Sequence, residues 1–292
     1  MAMNRITLIT KPTAEYELLD SGGEEKLERY GDVLLSRPDP QALWPKLLEA
    51  GEWAKAQGRY VRDGKEGKWE VKNNLPKEWP LSFGGLTFLI RPTSFKHTGL
   101  FPEQLSNWDW MRKTIEHADR PVAVLNLFGY TGGATLAAAQ AGASVTHVDA
   151  SKTAVAWARE NAVASGLSEK PIRWITEDVL LFVKREIKRG SRYDAIVMDP
   201  PAFGHGPDGE LWKIEEDLLP LIELCTQLLS EDPLCVIMNG YAAGYSPVAF
   251  VYNLEPLAKK LGGEIEYGDL TIEEKGSGRQ LPCGIFARWR KG

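Results

Sequence analysis

Two short segments carry residue types suited to chemistry. One is Asn126-Leu127-Phe128-Gly129-Tyr130-Thr131-Gly132-Gly133, where an apolar run passes through a glycine-rich turn into an alanine-rich stretch. Such a turn lets a nucleotide-like ligand approach the backbone where a Cβ would clash, although the same glycines would also serve a tight strand-to-helix turn for its dihedrals alone. The other is Asp199-Pro200-Pro201-Ala202-Phe203. Neither proline donates a hydrogen bond and both stiffen the backbone, so the Asp199 carboxylate and the adjacent carbonyls can be aimed as acceptors into a cleft. Phe203 adds a flat apolar face for a planar substrate, the bland alternative being a stiff strand exit with a core phenylalanine.

Two further carboxylates fall at strand ends. Asp149 follows Gly129 by about 20 residues, where it can accept hydrogen bonds from both hydroxyls of a ribose. Asp178 can accept from the exocyclic amine of an adenine. Each could instead cap the helix that follows, and Ser151 could take that role for Asp149. Gly129 and Asp149 alone would also suit an NAD-dependent oxidoreductase. Against that reading, the turn lacks the GxGxxG order and Asp199-Pro200-Pro201 has no evident part in hydride transfer.

These residues need a scaffold of alternating strands and helices, and from about Pro121 the chain has that texture. Strands are predicted at Val122 to Leu127, Ser144 to Val148, Ile172 to Ile175, Ala195 to Met198, Cys235 to Met238, Glu264 to Tyr267 and Gly284 to Trp289. Helices are predicted at Gly133 to Ala141, Lys152 to Ser165, Val179 to Arg189, Leu211 to Leu229 and Pro247 to Leu261. The fold class is α/β, Rossmann-like, with a seven-stranded, mostly parallel sheet and an antiparallel strand at its edge. Ahead of it, short strands at Ile6 to Ile9, Val33 to Ser36, Trp69 to Val71 and Leu86 to Ile90, broken by turn residues, read as a small β-rich lobe. The division is 1–80 for the lobe and 81–292 for the larger domain, with 81–120 leading into a core at 121–292.

Composition excludes several classes. With 292 residues, 43% hydrophobic, 26% charged and a net charge of -5, the chain is neither disordered nor generally attractive to nucleic acid or acidic membranes. No apolar run approaches the roughly 20 residues that span a bilayer, so the reading is cytoplasmic, with no membrane partner. Three cysteines at wide spacings and four scattered histidines give no metal-ligand pattern, and no metal is assigned. Two basic runs, Lys184 to Arg192 and Arg288 to Lys291, could meet phosphates, but solvated faces explain such runs more often. Trp44, Trp53, Trp69 and Trp79 could stack bases but more simply fill the lobe core.

Together, the Gly129 turn, Asp149, Asp178 and the Asp199 segment resemble class I S-adenosylmethionine-dependent methyltransferases, and within them the group of bacterial 23S rRNA cytosine-5 and guanine-N7 methyltransferases. Lys96-His97-Thr98-Gly99-Leu100-Phe101-Pro102-Glu103-Gln104 is similar to the segment preceding the cofactor domain there. The resemblance covers roughly Leu81 to Trp289. It implies S-adenosyl-L-methionine as cofactor, held by Asn126, Phe128, Gly129, Tyr130, Thr131, Gly132, Asp149, Ala150, Asp178 and Asp199, with Thr98, Phe101 and Gln104 near its methionine end. It places Asp199, Pro200, Pro201 and Phe203 at the substrate. Members that make 5-methylcytosine use a cysteine, commonly at the end of the fifth strand. Here Cys235 begins that strand and Asn239-Gly240 end it, which disfavours covalent cytosine chemistry. The implied activity is methylation of a nucleobase nitrogen in RNA, rRNA favoured. A protein amide or small-molecule substrate and a non-catalytic cofactor-binding module are the alternatives.

Overall fold

Apolar β-branched runs flanked by helix-period segments build the expected α/β core. The computed structural model describes residues 3–63, 66–72, 74–241 and 244–292. In chain order its elements are β1 (Met3–Thr10), β2 (Tyr16–Gly22), β3 (Glu25–Tyr30), β4 (Val33–Pro38), α1 (Ala50–Trp53), β5 (Gly58–Asp63), β6 (Glu66–Val71), β7 (Trp79–Phe83) and β8 (Leu86–Ile90). There follow α2 (Leu105–Glu116), β9 (Ala123–Leu127), α3 (Gly133–Gln140), β10 (Ser144–Asp149), α4 (Lys152–Ala164), β11 (Ile172–Thr176), α5 (Val179–Arg189), β12 (Ala195–Met198), β13 (Phe203–His205) and β14 (Leu211–Lys213). The last are α6 (Ile214–Leu228), β15 (Cys235–Tyr241), α7 (Pro247–Leu261), β16 (Glu264–Glu273) and β17 (Gln280–Arg290). Two compact units divide the chain, one of residues up to Leu8, Gln104–Leu270 and Gly284–Gly292, the other of Ile9–Glu103 and Thr271–Cys283. This division differs from a single boundary at 80/81.

The large sheet has the order β1-β16-β17-β15-β12-β9-β10-β11. From β15 to β11 every pairing is parallel, and β17 runs antiparallel to β15. Sequence reading differs from it in three places. The sheet has eight strands rather than seven, because β1, assigned to the lobe, joins it. What admits β1 is Gly268 at φ 152, where a Cβ would lie 1.8 Å from the Ile6 carbonyl oxygen, and a local strand pattern does not say which sheet it will meet. The antiparallel β17 is internal, because β16 lies outside it, and β1 forms the edge. Finally, Leu211–Lys213 is a strand paired with β13, not the first turn of a helix.

The core of this unit gathers Leu125, Leu127, Ile196, Met198, Val236 and Met238 from the sheet with Phe182, Leu221, Phe250 and Leu254 from the helices, all buried. In the smaller unit, β2-β3-β4-β5-β6 form one sheet and β7-β8 a hairpin. Trp53 and Trp79 are buried there, as core residues should be. Its centre is ionic. Glu28, fully buried, accepts from the Tyr16 hydroxyl at 2.8 Å, the Tyr30 hydroxyl at 3.1 Å and the Arg37 guanidinium at 2.7 and 2.8 Å. Lys26 stands 3.8 Å from Glu28 and 3.3 Å from Asp39. Burial pushes the Glu28 pKa up, but Arg37, Lys26 and the donated hydrogen bonds outweigh it and hold the carboxyl below its ordinary value of 4.5. Breaking such a pair leaves a buried cation uncompensated, so Glu28→Gln is expected to cost about 3–5 kcal/mol at neutral pH. Because the folded pKa is depressed, the contribution is complete above the ordinary value and is lost as pH falls through the folded one. Denaturant unfolding of both proteins from pH 7 down to pH 3 should show the gap narrowing toward acid.

Candidate active site

Strand register brings the two chemical segments together. β9 lies between β10 and β12, with Leu127 opposite both Val148 and Met198. The next residues, Phe128, Asp149 and Asp199, therefore leave the same edge of the sheet from strands about 4.8 Å apart. This is the carboxyl end of the parallel strands, where open α/β sheets hold ligands.

The turn after β9 is tightly wound. Phe128 (φ 57) and Tyr130 (φ 46) are both left-handed, at a cost on the order of 1 kcal/mol each. Backbone donors offset that cost: the Gly129 N–H reaches the Val148 carbonyl at 3.0 Å, the Gly132 N–H the Gly129 carbonyl at 2.9 Å, and the Tyr130 N–H the Asp149 carboxylate at 2.8 Å. The Asn161 amide holds the Thr131 carbonyl at 2.9 Å. Gly129 is required for space, since a Cβ would lie 2.4 Å from the His147 ring. His147 is buried, and burial pushes its pKa down to about 3, so the imidazole is neutral. Asn126 donates to Thr135 Oγ1 at 2.8 Å, and Thr135 lies 2.9 Å from His147 Nδ1. The Thr135 hydroxyl bridges the Asn126 amide and the His147 ring. Asn126 is thus committed beneath the turn.

The acidic residues have dual duties. Asp149 accepts from Tyr130 N–H through one oxygen and from Ser151 N–H at 2.8 Å through the other. Burial raises its pKa, and these two hydrogen bonds work against that. Ser151 caps α4 through the Ala154 N–H at 3.2 Å, and Ala150 between them is half-buried. Asp178 caps α5, accepting from Leu181 N–H at 3.0 Å through one oxygen. A carboxylate has about four acceptor sites, so capacity is left at both for a ligand's donors.

At the end of β12, Asp199 accepts from Gln104 Nε2 at 3.3 Å. That contact fixes the amide's orientation and leaves Gln104 Oε1 buried without a partner, an acceptor awaiting a donor. Two of the nearby carbonyls are not aimed outward as the sequence suggests. Pro201 O accepts from Trp212 Nε1–H at 2.7 Å and Ala202 O from Ile214 N–H at 3.1 Å, because two prolines supply no donor and the loop must be held by its acceptors. Phe203 is 57% exposed on β13, with His205 edge-on at 5.2 Å. Thr98 and Phe101 lie in the smaller unit, where Thr98 is buried and the Phe101 ring is 5.3 Å from His97.

Three contributors escape sequence reading. Trp212 sits edge-on to Phe128 at 4.9 Å. His147 underlies Gly129. Helix α2 places Asn107 one turn after Gln104, where its amide donates to Asn239 at 2.8 Å and accepts from Arg288 at 3.0 Å. The apolar spacing of Trp108, Met111 and Ile115 is the signal that could have found α2. In the first basic run Arg185 pairs with Glu177 and Arg189 with Glu186, and in the second Arg288 pairs with Glu266, Arg290 with Glu264 and Lys291 with Asp232. The cysteines are buried, and burial pushes Cys225 and Cys235 up to about 12. Cys235 pairs with Ala195, at the opposite end of the sheet from Asp199. Among the described residues no helix is long and apolar enough to cross a membrane, and no group of three or more His, Cys, Asp or Glu could hold a metal ion.

Residues 39–230 match the model of the family described as S-adenosylmethionine-dependent methyltransferase. Along its whole length the chain is similar to a SAM-dependent methyltransferase from Agrobacterium tumefaciens of known crystal structure, with 42% identity, a TM-score of 0.95 and coverage of 100% of this chain and 96% of that one. It is 34% identical over 252 residues to ribosomal RNA large subunit methyltransferase K/L of Shewanella sp. (strain MR-4), covering 84% of this chain and 32% of the relative. To ribosomal RNA large subunit methyltransferase K of Neisseria meningitidis serogroup B it is 28% identical over 230 residues, covering 75% and 64%. The chain thus spans 32% of the length of the first relative and 64% of the second. Given the space at Gly129, Gly129→Ala is expected to weaken S-adenosylmethionine binding about tenfold or more in calorimetric titration. Adding His147→Ala, which removes the obstructing ring, should recover part of that loss, and purely additive losses would show that the two do not meet.

Proposed function

The chain belongs to the S-adenosylmethionine-dependent methyltransferase family, and from that premise we propose that it methylates a nucleobase nitrogen in RNA, with ribosomal RNA favoured by the names of its relatives. The observation that carries the reading is the register of β9 with β12, which sets the Gly129 turn beside Asp199. The unused capacity of Asp149 suits ribose hydroxyls and that of Asp178 an adenine amine, while the orphan Gln104 Oε1 suits the ammonium of a methionine moiety. When bound, S-adenosylmethionine supplies a methyl group on a sulfonium, an electrophile that asks of its acceptor a lone pair and an in-line approach. This chain's residues supply the positioning. Asp199 accepts an N–H of the base and turns a ring or amino nitrogen toward the cofactor. Pro200 and Pro201 keep that carboxylate from swinging, and the exposed Phe203 ring offers the base a stacking face.

A nitrogen is favoured over carbon 5 by the thiols. Methylation at carbon 5 of a pyrimidine needs a thiolate at the ring, and the strand end beside Asp199 carries Asn239 where that thiolate would stand. Transfer of labelled methyl from S-adenosylmethionine to total RNA, with a protein fraction in parallel and nucleoside analysis, tests the reading. Label in a nitrogen-methylated nucleoside is the expected result. Label in protein alone would overturn the nucleobase substrate, and tight cofactor binding with no label would favour a non-catalytic module. Asp199→Ala should lower turnover about 100-fold, a larger effect than the loss of cofactor affinity of about tenfold or less that follows from releasing the Gln104 amide, because the lost carboxylate orients the substrate as well.

A further inference from the structure

We propose that Trp212 is a positioning residue that sets the spacing between the Asp199 loop and the Phe128 turn, and thereby the rate of methyl transfer rather than the affinity for either reactant. The proposal rests on reading those segments as substrate loop and cofactor turn. The β9–β12 ladder fixes the two chains as far as Leu127 and Met198. Beyond it they leave the sheet separately, one into a turn with two left-handed residues, the other into a proline pair with no N–H to anchor it.

One indole touches both. Trp212 is 4% exposed, its Nε1–H donates to Pro201 O at 2.7 Å, and its ring meets Phe128 at 4.9 Å with an interplanar angle of 60°. Its position is itself rigid. Trp212 pairs with Gly204 in the β13–β14 hairpin, and α6 begins two residues later with Ile214 N–H tied to Ala202 O at 3.1 Å. Buried as it is, the indole does not offer itself to substrate. Its effect is on the distance and angle between nucleophile and methyl group, where a displacement of about 1 Å can cost about 100-fold in rate.

Two variants separate the contacts. Trp212→Phe keeps an aromatic ring against Phe128 and removes the N–H, whereas Trp212→Leu removes both. With in-vitro-transcribed large-subunit ribosomal RNA as substrate, Trp212→Phe should lower kcat about tenfold, with KM for RNA and Kd for S-adenosylmethionine within about twofold of wild type. An unchanged kcat, or a Kd that rises in proportion as kcat falls, would overturn the proposal. Hydrogen exchange on the protein without substrate gives a second readout. Trp212→Leu should speed exchange in peptides of both segments, 127–132 and 201–214, and an effect confined to 201–214 would refute the coupling. Should wild type methylate no RNA, the substrate reading fails while the exchange experiment still decides the role of Trp212.

Discussion

The contact between Gly129 and the His147 imidazole is the constraint on which the ligand end of the sheet depends. An uncharged, fully buried ring fills the space under the turn, so the chain passes over it only where no side chain projects. On either side of that close passage Phe128 and Tyr130 adopt left-handed conformations that ordinary residues avoid. The strain is met by donors and acceptors from two elements: the Val148 carbonyl and the Asp149 carboxylate at the end of β10, and Asn161 from α4. Protonating the imidazole would put a charge in a water-free site, which is why burial holds its pKa so low.

From this follows a pattern in the polar groups. Residues that sequence reading assigns to ligands also bond to the backbone: Asp149 to the turn and to the start of α4, Asp178 to the start of α5. A carboxylate clamped by N–H groups has lost its freedom before a ligand arrives, so less ordering is left to do on binding. The helix-capping and ligand-binding readings of these residues are therefore compatible, because each carboxylate has acceptor sites enough for both.

Legibility in the sequence follows the range of the interaction. Ala195–Met198, Val179–Arg189 and Pro247–Leu261 are read with their boundaries, since apolar periodicity lies within each segment and a cap such as Asp178 lies next to it. The side-by-side exit of the Gly129 and Asp199 segments is likewise legible, as both are strand ends in one doubly wound pattern. The place of β1 in the large sheet is not, because it depends on Gly268, more than 250 residues away. The β14 strand is hidden for a similar reason. Leu211–Lys213 continues into an apolar periodic helix, and its extended form depends on pairing with β13 across a turn at Gly209. Nor could the inward bonding of the Pro201 and Ala202 carbonyls be read, since the donors, Trp212 and Ile214, lie in the stretch that looks helical.

Charge bears on how such a chain could recognise RNA. With a net charge of -5 and five cations of its basic runs paired with Glu177, Glu186, Glu264, Glu266 and Asp232, long-range attraction to a phosphate backbone is weak. Exchanging those internal ion pairs for phosphate contacts would return little, because each cation gives up one anionic partner to gain another. On the proposed RNA substrate, discrimination would fall to short-range contacts that need an unstacked base: the acceptor at Asp199 and the exposed ring of Phe203. Both require the base to be presented edge-on and face-on at once, which an unpaired nucleotide can satisfy and a base inside a helix cannot.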